Sequence, residues 1–185
     1  MKKISVFEMV TCALFVALIA IGAFIKIPTP LVPITFQYTM VMLAGLILGP
    51  KLGALSAFAY MVIGLVGVPI FTAGGGPSYV FKPSFGYIIG FVFAAFVTGL
   101  IAKKGKEPST VRYILAGFAG LLVCYVFGMV YCILIMDLYM GKPVTFAYAI
   151  VNLFLIFLPG DGILTVIFAA VAKRVMPQID KMKSK

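Results

Sequence analysis

Apolar residues run along this chain in six blocks, parted by short stretches rich in proline, glycine and lysine. The blocks cover roughly residues 6–25, 37–49, 51–68, 84–103, 111–136 and 145–175. A helix needs about 20 residues to cross the hydrocarbon core of a bilayer. The second block is short and ends at Gly49-Pro50, so it is expected to lean against neighbouring helices. The sixth is too long for one span, and Pro159-Gly160 is expected to break or kink it. The pattern predicts an all-α integral membrane protein, one domain over residues 1–185, with six transmembrane helices.

Composition sharpens this picture. A chain of 185 residues that is 63% hydrophobic and 11% charged has more apolar surface than a soluble fold can hide. A net charge of +10 in a soluble protein would point to nucleic acid. Here the basic residues fall between apolar blocks, so they report membrane orientation, and nucleic acid is not an expected partner. With both termini inside, the inner group is Lys2, Lys3, Lys51, Lys103, Lys104, Lys106, Arg112, Lys173, Arg174, Lys181, Lys183 and Lys185. The outer group is Lys26, Lys82 and Lys142. That asymmetry predicts both termini on the cytoplasmic side of the cell membrane. The first block is long for a signal peptide and lacks a clean small-residue cleavage site, so it is expected to be helix 1, retained.

Two outer loops follow. Residues 26–37 carry three prolines, which predicts a stiff, extended segment. Residues 68–87 carry the run Gly74-Gly75-Gly76, three prolines and several aromatic rings. Together they are expected to form a lid or wall at the outer face. The glycine run has no lysine at phosphate-loop spacing, and no G-x-x-x-x-G-K-[ST] stretch occurs, so the chain is not expected to hydrolyse ATP by itself. Neither a repeat of 20–50 residues nor an inverted repeat of broken helices stands out.

Catalytic chemistry has little to work with. The chain has no histidine, and its three cysteines, Cys12, Cys124 and Cys132, lie singly in apolar blocks. No catalytic residue, metal site or cofactor is expected. Of the five acidic residues, Asp161 alone lies within an apolar block away from its ends. An ionisable group at that depth costs a few kcal/mol and marks a cavity or a partner. Asp161 either accepts from ligand N–H groups or caps a helix restarting after Pro159-Gly160. Lys82, set among Phe81, Pro83 and Phe85, either meets a ligand carboxylate or snorkels to the interface. Gln37 and Asn152 are polar groups in apolar runs that bond either a ligand or a neighbouring helix. Tyr79, Phe81, Phe85 and Tyr87 are pocket walls or an interfacial belt. Ala13, Ala17 and Ala20 share one face of helix 1 and allow close approach of a helix, from this chain or another protein.

The run VPITFQYTMVMLAGLILGPKLGALSAFAYMVIGLVGVPIF, residues 32–71, resembles the biotin-specific S components (the BioY family) of energy-coupling factor vitamin transporters. The family's P-I-T-x-Q start, A-G-x-x-L-G-P-x-x-G centre and G-L-x-G-x-P-x-F end appear in order. The likeness continues through the glycine loop, FGYIIGF at 85–91 and FLPGD at 157–161, and covers most of the chain. It implies a substrate-capture subunit with six helices that binds a vitamin near the outer face. Its implied partners are a transmembrane coupling subunit and two ATPases. Ala13 and Ala17 match the family's A-x-x-x-A docking pattern, which moves the expectation for that face, Ala20 included, toward partner contact.

The resemblance also places Asp161 in the ligand site, on the family's P-G-D-x-x-K pattern. Two departures stand out. Leu164 holds the position of the pattern's lysine, and Lys82-Pro83-Ser84 replaces the usual G-P-T. Either Lys82 supplies the missing cation, or the pocket takes another carboxylate such as lipoate or a biotin precursor. On this reading Gln37, Tyr79 and Asn152 are secondary polar contacts, and the aromatic loop, with Phe71 and Phe85, covers the apolar tail. An ion-coupled secondary carrier is the alternative class. An intramembrane enzyme would need a second catalytic group beside Asp161, and a purely structural protein would have no use for Asp161.

Overall fold

In a computed structural model, residues 5–29, 31–103 and 109–183 are described. The fold is all-α apart from one short ribbon. Helix α1 (Val6–Phe24) starts from a reciprocal cap: Ser5 Oγ accepts from the Glu8 N–H, and the Glu8 carboxylate accepts from the Ser5 N–H. The strands β1 (Lys26–Ile27) and β2 (Ile34–Thr35) then pair antiparallel, with Lys26 opposite Thr35. The proline-rich stretch expected to be extended is flanked by this pair of strands and lies beside the end of α1.

Helix α2 (Gln37–Leu48) is the centre of the bundle. Every residue in it except Met40 is buried, and it packs against α1 and the helices that follow. A short helix hidden on all sides reads as continuously apolar, which is why its block has no polar face. The chain reverses at Gly49, whose φ of +83° strongly favours glycine, and α3 (Pro50–Leu65) begins with proline in its first turn. This corner is wedged against α4 (Phe85–Ala102). A Cβ on Gly45 would lie 2.6 Å from the Ala95 carbonyl oxygen, and one on Gly99 would lie 2.4 Å from the Pro50 nitrogen. Close backbone packing thus accounts for the glycines of the A-G-x-x-L-G-P-x-x-G segment.

Between α3 and α4 the loop folds back on itself. Phe71 and Gly74 exchange backbone hydrogen bonds, and Pro77–Phe81 form a 3-10 turn. Helix α5 (Thr110–Leu134) lies along α4 and continues into a π-helical turn, Ile135–Tyr139. The last apolar block is interrupted at Ile156-Phe157, just ahead of Pro159. Helix α6 (Phe146–Ile150) widens into a π-helical turn at Val151–Leu155, and α7 (Leu158–Lys183) begins one residue before Pro159. Proline is tolerated there because the first turn of a helix has no intrahelical partner for its N–H.

Among the described residues, four helical runs are long and apolar enough to cross a membrane: Val6–Phe24, Phe85–Ala102, Thr110–Tyr139 and Phe146–Ile179. The helices α2 and α3 are apolar but shorter. Of the basic residues used to predict orientation, Lys2, Lys3, Lys104, Lys106 and Lys185 lie outside the described residues, as does the side chain of Lys183.

Candidate binding site

The hairpin and the 68–84 loop meet over the end of the bundle where α2, α4 and α7 begin. Beneath them is a narrow cavity of about 40 Å³. Val32, Pro33 and Thr35 line it from the hairpin, and Thr72, Tyr79 and Ser84 from the loop. Gln37 and Tyr38 open α2; Tyr87, Ile88 and Phe91 come from α4; Cys124 and Tyr125 come from α5. Phe157 and Asp161 complete the wall. The lining is mostly rings and aliphatic carbon with a few fixed polar groups, the usual make-up of a site that orients a largely apolar ligand.

Asp161 is 6% exposed. It lies in the first turn of α7, where the helix dipole favours negative charge. The side chain does not cap the helix. The Tyr125 hydroxyl donates to Asp161 Oδ2 at 2.7 Å, and this is the carboxylate's single protein hydrogen bond among the described residues. No lysine or arginine pairs with it among those residues. The second oxygen is thus left to accept from whatever occupies the cavity.

Gln37 is fixed by a chain of bonds. Its Nε2 donates to the Tyr60 hydroxyl at 2.7 Å, and Tyr60 donates to the Ile70 carbonyl at 3.0 Å. Thr35 Oγ1 in turn donates to Gln37 Oε1 at 3.2 Å. Tyr79 shares a 2.8 Å bond with Thr72 Oγ1 and accepts from Ser84. The Tyr87 hydroxyl donates to the Leu153 carbonyl at 2.8 Å, and Tyr38 donates to the Gly117 carbonyl. These bonds hold the rings at set angles and bind α2, α4, α5 and the α6–α7 junction together around the cavity.

The structure brings Asp161, Gln37 and Tyr79 to one chamber and sets the other expected residues around it. Phe71 is buried behind Tyr79, their ring centroids 4.6 Å apart, and its ring abuts Gly64. Phe85 backs Tyr79 at 6.5 Å and Tyr131 at 5.8 Å. Both rings therefore buttress the wall without lining it. Lys82 stands at the rim, its ammonium 5.0 Å from the Tyr79 ring centroid and 3.2 Å from the Ala73 carbonyl oxygen. Asn152 donates to the Tyr148 carbonyl one turn back in its own helical run and lies away from the chamber. Leu164 faces a second, open groove that shares Thr35 and Asp161 with the chamber.

Sequence reasoning missed Tyr125, Tyr38, Phe91 and Thr35 as lining residues. Thr35 stands in the P-I-T-x-Q segment and was available as a signal. Tyr125 and Tyr38 gave only a hydroxyl in an apolar run, which has no spacing to mark its target.

On the opposite side of α1, Ala13 and Ala17 are exposed and Ala20 half-buried. They line a wide apolar groove completed by Leu55, Ala59 and Ile63 of α3. No helix of this chain fills it among the described residues.

Residues 1–181 match the model of the BioY family. A Lysinibacillus sphaericus protein, "Probable biotin transporter BioY", is 38% identical over 95% of this chain and 89% of its own length. "Biotin transporter BioY" of Thermotoga maritima is 38% identical over 66% of this chain and 72% of its own. The crystal structure of the S-component for biotin from an ECF-type ABC transporter superposes with a TM-score of 0.80 at 27% identity. That match covers 92% of this chain and 90% of the other.

Proposed function

The chain belongs to the BioY family, and from this premise we propose that it captures biotin from outside as the substrate-binding S component of an ECF-type importer. The observation that carries this reading is the buried carboxylate of Asp161, held by Tyr125 on one oxygen and open to an aromatic chamber on the other. A ureido ring offers N–H donors to such an acceptor. The rings of Tyr79, Tyr87, Phe91 and Phe157 suit its apolar body. Gln37, on the chamber wall, offers a secondary polar contact. No bond in the ligand needs to be made or broken.

The finer assignments belong to the same proposal. The chain crosses the cell membrane six times with both termini in the cytoplasm, which the distribution of basic residues supports. Delivery depends on a transmembrane coupling subunit and two ATPases. The coupling subunit docks in the groove of Ala13, Ala17 and Ala20, where small side chains admit a partner helix. Lys82, at the rim beside Tyr79, takes the ligand carboxylate in place of a lysine at position 164.

The test is the melting temperature of the purified protein in detergent with biotin, dethiobiotin and lipoate. A ligand at about 100 times its Kd adds roughly 2.7 kcal/mol to the folded state. Biotin is expected to raise the melting temperature, and D161A to abolish the rise. A rise with lipoate alone would reassign the substrate. An unchanged response in D161A would remove the carboxylate from the site.

A further inference from the structure

We infer that Lys26 is a second carboxylate-binding residue, which with Lys82 forms a two-ammonium seat on the turn at Thr72-Ala73. This rests on the biotin reading above and adds to it a residue from the other loop.

Lys26 Nζ donates to the Thr72 carbonyl at 2.6 Å, and Lys82 Nζ donates to the Ala73 carbonyl at 3.2 Å. Two cations from separate loops thus converge on consecutive carbonyl oxygens. Each is satisfied by a neutral acceptor, and neither has a carboxylate partner among the described residues. Two ammonium groups with no anionic partner on one turn favour an anion bound beside them. A backbone carbonyl leaves the charge of each ammonium uncompensated, which a ligand carboxylate would neutralise.

The seat is placed where a ligand acid would reach it. Thr72 lines the chamber, and Lys26 lines the open groove that shares Thr35 and Asp161 with it. A molecule with its N–H groups on Asp161 can send an aliphatic chain past Thr35 toward Lys26. Leu164 stands on the same groove as Lys26 and gives that chain an apolar wall. Lys26 and Lys82 then share the role of the cation that α7 lacks at position 164.

Calorimetric titration of the purified protein with biotin and with biotin methyl ester tests this. Wild type is expected to prefer the acid. K26M should weaken biotin binding by about tenfold, leave the ester within about twofold, and K26R should restore the preference for the acid. Equal loss of both ligands in K26M, or loss of neither, would overturn the proposal and leave Lys26 a link between the loops. Wild-type protein that binds neither compound would overturn the biotin reading itself, and this proposal with it.

Discussion

Tyr125 and Asp161 stand on different helices, α5 and α7, and meet through a single 2.7 Å hydrogen bond inside the bundle. Tyr125 is also packed edge-on to Phe154, with centroids 5.1 Å apart. The phenol therefore has little freedom to follow the carboxylate, and the bond aims Asp161 rather than merely satisfying it. A hydrogen bond to a charged group contributes about 1.5–3 kcal/mol. Y125F is expected to weaken ligand binding by roughly tenfold while the protein still folds, as measured by titration calorimetry alongside a melting curve. Unchanged affinity would show that the ligand orients Asp161 by itself.

Leu164 lies one turn after Asp161, a spacing at which side chains are neighbours on a helix. L164K puts an ammonium beside the carboxylate and the open groove. Binding assays should show a larger preference for biotin over its methyl ester than wild type, and weaker binding of ligands with apolar tails alone. An unaltered acid-to-ester ratio would mean that position 164 does not touch the ligand chain.

Gly64 is the floor under the aromatic wall. A Cβ there would lie 2.1 Å from Phe71 Cζ, and Phe71 supports Tyr79. G64A must displace the Phe71 ring, and overpacking of this kind costs about 1–3 kcal/mol. A lower melting temperature together with weaker ligand binding is the expected outcome. A lower melting temperature with unchanged affinity would separate the packing of Phe71 from the pose of Tyr79.

The alanine groove on α1 is remote from the chamber in its lining residues. The double variant A13L/A17L fills it without touching the binding wall. Biotin affinity should stay within about twofold of wild type, while co-purification with the coupling subunit and cellular uptake should fall sharply. Retained uptake would remove this face from the docking surface.

The amino-acid sequence by itself determined the class of this protein and the outline of its elements. A chain this short has no core large enough for so many apolar helices, so lipid must cover them, and the observed α1, α4 and α5 end within two residues of the blocks that predicted them. The buried carboxylate was legible for the same reason: an ionised group in an apolar run has too high a cost to be incidental. Glycine and proline marked the α2–α3 corner, since φ at Gly49 and the close approach to α4 leave few other choices.

Tertiary structure decided which side chains share a space. Phe71 and Phe85 read as ligand contacts in sequence, yet packing put Tyr79 in front of both. Asn152, in the π-helical turn, bonds a carbonyl of its own helical run and not the chamber. The break before α7 falls just ahead of Pro159 because proline fits a first turn, and Asp161, in that same turn, accepts from Tyr125 without capping the helix. In sequence Tyr125 was only a hydroxyl in an apolar run and Lys26 only one of the outer basic residues. Each acts through a partner far along the chain, Asp161 in one case and Thr72 in the other, and only the fold brings such pairs within hydrogen-bonding distance.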